Sequence, residues 1–431
     1  MSAMSAIEAR YVDRTLASAA MIRRARHCMP GGSTRTFTFH APYPLTFHHA
    51  GGPYLWDVDG DRYVDLVYNG LSLIHGHSYP PIVEAIQRTL SRGSAWPGPN
   101  DEQVRFAELL RDRVHGIDLV RFANTGSEAA MLAVKIARHV TGRPLVLKAR
   151  YGYHGCYPDL EVGVEATGQD TEQTVLATFG SADSFARVLE QRRGQIAAVI
   201  LEPVMFTGVV TPPPQGFLQA VQQLARDAGA LFILDDCLML RLSFHGSAAL
   251  FGLDPDLTVL GKFLGGGLPV GAVGGRREIM ECLNPDTAGH IFHGGSFNGN
   301  VLGCAAGRVA IEHLTTERIT QMDEHRETLQ ARAYASAQAA GVPLSINSIG
   351  SVMGMYMRAD PPKAGEMVET PLQHQFHLAC LNNGIYLGPG GECAMATAIS
   401  DDVVDQLAEG FDQAMKEVAE VTAQSPVSVH S

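Results

Sequence analysis

Charge is scarce in this chain, tryptophan is nearly absent, and no two cysteines form a C-x-x-C pair. Only 18% of the 431 residues are charged while 45% are apolar, which excludes a disordered chain and predicts a large buried core. Basic residues are outnumbered, giving a net charge of -12, so bulk attraction to nucleic-acid backbones is excluded. Any anion the protein holds must be held by local groups. The seven cysteines (Cys28, Cys156, Cys237, Cys282, Cys304, Cys380 and Cys393) are scattered and odd in number. Neither a zinc site nor a disulfide framework is expected, and no metal is implied. They read as buried thiols in a reducing cytosol. No apolar run reaches membrane length, and residues 1–24 carry no continuous apolar stretch of secretory type. The expectation is a soluble, cytoplasmic protein with no nucleic-acid or membrane partner.

What is present is organised by alternation. Residues 7–28 read as one helix stopped by Pro30-Gly31-Gly32, and residues 54–66 read as a hairpin around Asp59-Gly60-Asp61. From 120 to 260, short apolar runs (146–149, 197–201, 231–234 and 257–260) alternate with helical stretches such as 217–228, which stops at Gly229. Runs apolar on both faces with intervening helices predict buried parallel strands and crossover helices. Helices are expected over 300–315 and 317–340, followed by mixed strands and helices and a loose tail from 423. No internal repeat interrupts this pattern.

Four strand ends carry chemistry. Asn124-Thr125-Gly126-Ser127-Glu128-Ala129 follows the run 120–123 and opens an alanine-rich helix. Gly126 permits close backbone approach, Thr125 and Ser127 supply hydroxyls, and free N–H groups at the helix start face the same spot, a cradle for a phosphate. An ordinary helix cap is the competing explanation. Gly261-Lys262 follows the run 257–260, where open α/β sheets bind ligands. Desolvation at such a place favours a neutral amine able to attack a carbonyl. The alternative is a surface lysine beside a glycine loop. Asp235 ends the run 231–234, where a carboxylate needs a cationic partner such as a protonated pyridine nitrogen. Capping of the next segment is the plainer account of Asp235, although Asp236 makes the site doubly acidic. Tyr151-Gly152-Tyr153-His154-Gly155 offers an aromatic ring between glycines, suited to cover a flat ligand or, equally, to plug a surface turn. A phosphate cradle, a carbonyl-seeking amine, a buried anion and an aromatic cover together describe pyridoxal 5'-phosphate.

The same stretches resemble the class III aminotransferases of the fold type I group of pyridoxal-phosphate enzymes, from about residue 30 to the final helix. N-T-G-S-E-A is similar to the family's phosphate loop, which implies phosphate binding by Thr125, Gly126 and Ser127. Y-H-G at Tyr153, His154 and Gly155 resembles the ring-stacking segment. P-D-L-T-V-L-G-K-F-L-G-G-G-L-P-V-G-A-V-G-G, residues 255–275, is similar to the region of the Schiff-base lysine, which implies that role for Lys262. G-G-S-F-N-G-N, residues 294–300, resembles the segment that reaches the phosphate of a neighbouring subunit; this implies a homodimer with shared active sites and that role for Ser296. Glu202-Pro203 resembles an E-P element near the cofactor. The implied fold is α/β, with a large domain over 71–315 built on a mostly parallel sheet flanked by helices. A smaller α+β domain would form from residues 1–70 and 316–431.

Two branches of the family are nearest, glutamate-1-semialdehyde aminomutases and aminotransferases for β-amino acids such as β-phenylalanine. M-P-G-G-S-T-R-T-F-T-F-H-A-P-Y-P-L looks more like the second, which implies that Arg35 holds the substrate carboxylate. Asp235-Asp236-Cys237 departs from the usual D-E-V. Gly388-Pro389-Gly390-Gly391-Glu392 lacks the arginine of β-phenylalanine enzymes, and Glu392 matches an aminomutase carboxylate only across a gap. The implied activity is transfer of an amino group from an amino acid, of the β- or another non-standard type, to a keto acid through the Schiff base on Lys262. The alternative is a 2,1-aminomutase that needs no keto acid. A non-catalytic cofactor sensor is disfavoured by the joint presence of Lys262, Asp235 and the phosphate loop. A dinucleotide dehydrogenase is disfavoured because the glycines follow Lys262 rather than opening a first βαβ unit.

Overall fold

Seven short strands supply the frame that positions the candidate residues: β1 Leu119–Ala123, β2 Leu145–Ala149, β3 Thr174–Ala177, β4 Ile196–Leu201, β5 Leu231–Asp235, β6 Leu257–Leu260 and β7 Gly271–Gly275. They belong to a computed structural model that describes residues 5–164 and 171–424. The tail expected from 423 lies, beyond 424, outside the described residues. The strands form one sheet in the order β1-β7-β6-β5-β4-β2-β3, parallel throughout except for β7, which runs antiparallel to β1 and β6. Every residue of β2 and β4 is buried, which explains why β4 reads as an unbroken apolar run and β2 as one interrupted only by Lys148.

The helix Gly126–Thr141, α1, presents Ala129, Ala130, Ala133 and Ala137 to the sheet core, and their small side chains admit a close approach. β7 reverses the expectation drawn for the runs before it, and glycine makes this possible. A side chain at Gly271 would overlap the Thr125 carbonyl. The glycines after Lys262 serve packing too: at Gly266, in the left-handed region, a Cβ would lie 2.6 Å from the Ala306 carbonyl oxygen on the helix Val301–His313.

Contacts divide the chain into two units, residues 70–74 with 80–319, and residues 1–69 with 75–79 and 320–431. The first holds the seven-stranded sheet. The second holds a four-stranded sheet, in which Phe47–Gly51, Tyr54–Asp57 and Arg62–Asp65 form an antiparallel meander and Ile385–Tyr386 pairs parallel to Arg62–Asp65. A three-stranded antiparallel sheet, Ser345–Ile349, Val352–Tyr356 and Glu392–Ala394, and the helices Pro371–Asn382 and Asp401–Gln424 complete it.

The single helix expected over 7–28 is two, Ala6–Arg14 and Leu16–Ala25. Thr15 leaves helical geometry while its hydroxyl donates to the Tyr11 carbonyl at 2.7 Å. The Asp59 carboxylate then accepts from the N–H groups of Ala17 (2.6 Å) and Ser18 (2.9 Å), capping the second helix from the hairpin. Among the described residues no helix is long and apolar enough to cross a membrane.

Candidate active site

Lys262 follows β6 and begins a 3-10 turn, Lys262–Gly265. Its φ of +52° lies in the left-handed region, which costs a residue with a side chain about 1–2 kcal/mol. Such strain persists where the surroundings enforce it, and functional sites are where it collects. The preceding Gly261 shows what enforces it here: a Cβ there would lie 3.1 Å from the Cys237 Sγ and 3.1 Å from the Gly126 Cα. The lysine turn and the start of α1 are therefore packed directly together.

At that start Thr125 is the N-cap, its hydroxyl oxygen accepting from the Glu128 N–H at 3.1 Å, while Glu128 accepts from the Asn124 N–H at 2.7 Å. The plain capping explanation holds, and it leaves the hydroxyl proton and the helix-start amides available. A hydroxyl that accepts from a backbone amide still has its proton to donate, and the first amides of a helix lack intrahelical acceptors. Ser127 repeats the pattern by accepting from the Cys156 N–H at 3.1 Å. A Cβ at Gly126 would lie 2.9 Å from the Cys237 Sγ, so this position tolerates no side chain.

Asp235 closes β5 and is buried, with the His154 Nδ1 2.8 Å from one carboxylate oxygen and the Cys237 N–H donating to the other at 3.2 Å. Burial works to raise this carboxyl, but the His154 hydrogen bond, the nearby Lys262 amine and Cys237 outweigh it and hold Asp235 below the usual range. The next residue behaves oppositely. Asp236 accepts from the Ser247 N–H at 3.0 Å, its other oxygen has no partner, and burial pushes it up to about 7. The second acid of the doubly acidic pair thus serves the fold of the following segment.

Tyr153 and His154 come from the loop after β2. The Tyr153 N–H donates to the Glu202 carboxylate at 2.9 Å, and its hydroxyl lies 3.3 Å from the Cys156 Sγ. Burial and the neighbouring Asp235 charge push Glu202 up to about 8. Gly155, at φ +100°, carries the chain past Ser127, and a Cβ there would stand 2.5 Å from the Ser127 Cα. Thr125, Gly126, Ser127, Tyr153, His154, Glu202, Asp235 and the Lys262 turn thus lie together where the strands of the sheet end.

Ser296 is exposed, two residues from Asn298, whose side-chain oxygen accepts from the Asn124 Nδ2 at 3.0 Å. Arg35 belongs to the other unit, where its guanidinium donates to the Asn69 side chain and lies 6.0 Å from the Phe37 ring. Asn69 sits in a left-handed turn with Tyr68, Gly70 and Leu71. Glu392 folds back over its own loop, its carboxylate 2.7 to 2.8 Å from where side chains at Gly390 and Gly388 would start. Burial pushes it up to about 7.

Sequence reasoning missed two residues. Cys237 fills the space left free by Gly126 and Gly261, and Lys148, within an apolar run, is fully buried with its Nζ donating to the carbonyls of Leu160 (2.7 Å) and Val162 (2.8 Å). A lysine in a run otherwise buried on both faces was the available signal.

The chain matches the family Aminotransferase class-III over residues 38–415. It is 35% identical over 394 residues to a glutamate-1-semialdehyde 2,1-aminomutase from Myxococcus xanthus (strain DK1622), covering 86% of this chain and 91% of that protein. Among solved structures it resembles a transaminase with PLP bound, at 30% identity and a TM-score of 0.88, over 96% of this chain and 99% of that one. It also resembles a β-phenylalanine aminotransferase from Variovorax paradoxus, at 30% identity and a TM-score of 0.89, over 97% and 98% of the two chains. The fold, the strand-end cluster and these likenesses agree: the chain belongs to the class III aminotransferases.

Proposed function

We propose that this enzyme uses pyridoxal 5'-phosphate to move an amino group from a β- or other non-standard amino acid to a keto acid. The observation that carries the reading is the packing of the Lys262 turn against the start of α1, through Gly261, Gly126 and Cys237, with the depressed carboxyl of Asp235 beside it. The residues fit the group: the helix start at Thr125, Gly126 and Ser127 offers hydroxyls and amides, and Asp235 is a buried carboxylate suited to pair with a cation. When bound, the cofactor supplies an aldehyde that captures amines and a protonated ring that withdraws electrons from the bond being broken.

Each residue then has one task. Thr125, Gly126 and Ser127 hold the phosphate through hydroxyls and helix-start amides. Asp235, steadied by His154, stays ionised and pairs with the ring nitrogen. Tyr153 covers the ring face, and Glu202 fixes the Tyr153 amide. Lys262 Nζ would anchor the aldehyde and would serve as the base that moves the proton at the substrate carbon. Arg35, oriented by Asn69, receives the substrate carboxylate in its planar fork. Ser296, flanked by the exposed rings of Phe292 and Phe297, serves the phosphate of a second copy in a homodimer.

A second reading, the aminomutase, has the likeness to the Myxococcus protein and the buried carboxyl of Glu392 in its favour. One experiment separates them. Purified yellow enzyme is titrated with α-, β- and ω-amino compounds of both hands, and turnover is followed with and without a keto acid. Bleaching by β-amino acids with strict dependence on the keto acid is expected. Turnover of a single substrate without a keto acid would install the aminomutase, and no bleaching by any donor would overturn both.

A further inference from the structure

Lys148 stands one residue before the end of β2, paired with Ile200 on one side and Leu176 on the other. A charged amine is expensive at such a place unless it meets acceptors and other charges. Two of its donors meet the carbonyls of Leu160 and Val162, at the end of the short helix Pro158–Glu161. That segment is also tied by the Thr174 hydroxyl to the Asp159 carbonyl at 2.7 Å, and by the Tyr151 N–H to the Gly163 carbonyl at 2.7 Å. It therefore backs the loop that carries Tyr153 and His154. The titratable groups facing Lys148 are Glu202, Glu161 and His154, and burial pushes its amine down to about 8.

His154 shows what a charge there does. Its Nδ1 faces the Asp235 carboxylate at 2.8 Å, while the buried Nε2 has no partner. A protonated ring would need an acceptor at Nε2, and a Cβ on Gly152 would stand 3.3 Å from that nitrogen. Burial, Lys148 and Lys262 all oppose protonation of this imidazole. A neutral His154 donates one hydrogen bond to Asp235 and leaves its negative charge unspent.

We propose that Lys148 is a positioning residue: its buried amine ties the 158–164 segment to the sheet and sets a positive charge behind His154, reserving the Asp235 charge for the ring nitrogen. This rests on the cofactor reading given above. The test is a pH titration of the visible absorbance of the holoenzyme, together with the rate of cofactor loss, in three variants. Lys148→Met removes charge and both hydrogen bonds, Lys148→Arg keeps the charge, and Thr174→Val removes a neutral tie to the same segment. Lys148→Met is expected to move the titration midpoint by about one pH unit and to speed cofactor loss about tenfold. Lys148→Arg restores the midpoint, and Thr174→Val leaves it in place. An unmoved midpoint in Lys148→Met, or an equal shift in Thr174→Val, overturns the proposal. Where Lys148→Met does not fold, 15N chemical shifts of His154 in the wild type decide. A neutral ring protonated at Nδ1 at pH 7 supports the proposal and an imidazolium defeats it. A wild type lacking visible absorbance altogether would refute the cofactor reading instead, a result distinct from both.

Discussion

At the strand ends of the seven-stranded sheet, the buried side chains of Lys148, His154, Glu202 and Asp235 each face a hydrogen-bond partner and at least one opposite or modulating charge. In the other unit, His40 and His377 face each other, ring centroids 4.5 Å apart, with the His40 Nε2 and both His377 nitrogens lacking partners. Both places bury ionisable groups, but the first sets them against opposite charges, whereas among the described residues this imidazole pair has only the Ala41 carbonyl, 3.1 Å from the His40 Nδ1. The difference separates a site, where charge is kept and tuned, from packing, where a titratable ring survives by staying neutral.

The hardest way to break the comparison is at Lys262. On the proposed function Lys262→Ala removes the covalent anchor and the proton carrier together, and a fall in turnover of on the order of a thousandfold or more is expected. Borohydride reduction followed by peptide mapping checks the assignment directly, since label on any other lysine defeats it. Next is Asp235→Asn, which keeps the shape and removes the charge. Losing one partner of a buried ion pair costs about 3–5 kcal/mol, so cofactor affinity measured by equilibrium dialysis should fall at least about a hundredfold. Unchanged affinity would show that the carboxylate meets no cation.

The imidazole pair sharpens the other side. Burial pushes His40 down to about 4 and His377 well below its usual value. Between pH 6.5 and about 4 the unfolded chain therefore binds protons that the folded chain refuses, and stability falls as pH falls through that window. His40 alone accounts for roughly 3 kcal/mol of the loss, complete below its folded value. Acid also titrates carboxylates, so the measurement is the difference between wild type and His40→Leu in denaturant midpoint from pH 7 to pH 4.5. Parallel curves would mean that the pair is not protected from protons.

How much of this was legible beforehand follows the same division. The phosphate loop, Lys262 and Asp235 each mark a strand end with a residue out of keeping with the apolar run before it, so their sequence signal is local. The partners that complete them are not local. His154 meets Asp235 across 81 residues, Asn124 meets Asn298 across 174, and the break at Thr15 is stabilised by Asp59 from the hairpin. Lys148 was hidden differently, since a strand pattern assigns faces and says nothing about where a long side chain ends. The antiparallel β7 escaped notice because G-A-V-G-G has the composition of a loop, and its glycines are required only once the Thr125 carbonyl lies against Gly271, the Ile117 side chain against Gly274 and the Asp256 carbonyl against Gly275.

The smallest effect tests whether the aromatic loop and the phosphate loop act as one unit. Gly155 has φ +100°, and a Cβ there would meet Ser127 at 2.5 Å from its Cα. Gly155→Ala therefore adds backbone strain of about 1–3 kcal/mol and displaces the Ser127 hydroxyl from its place beside the Cys156 amide. Ser127→Ala removes that hydroxyl without strain. Each single change should weaken cofactor retention about tenfold, the worth of one hydrogen bond to a charged group. Because both act on the same contact, the double variant should lose little more than Gly155→Ala alone, a coupling of about 1 kcal/mol in a double-mutant cycle. Simple additivity would mean that Gly155 governs the ring-covering loop alone, and the phosphate would then depend on α1 without help from the loop beside it.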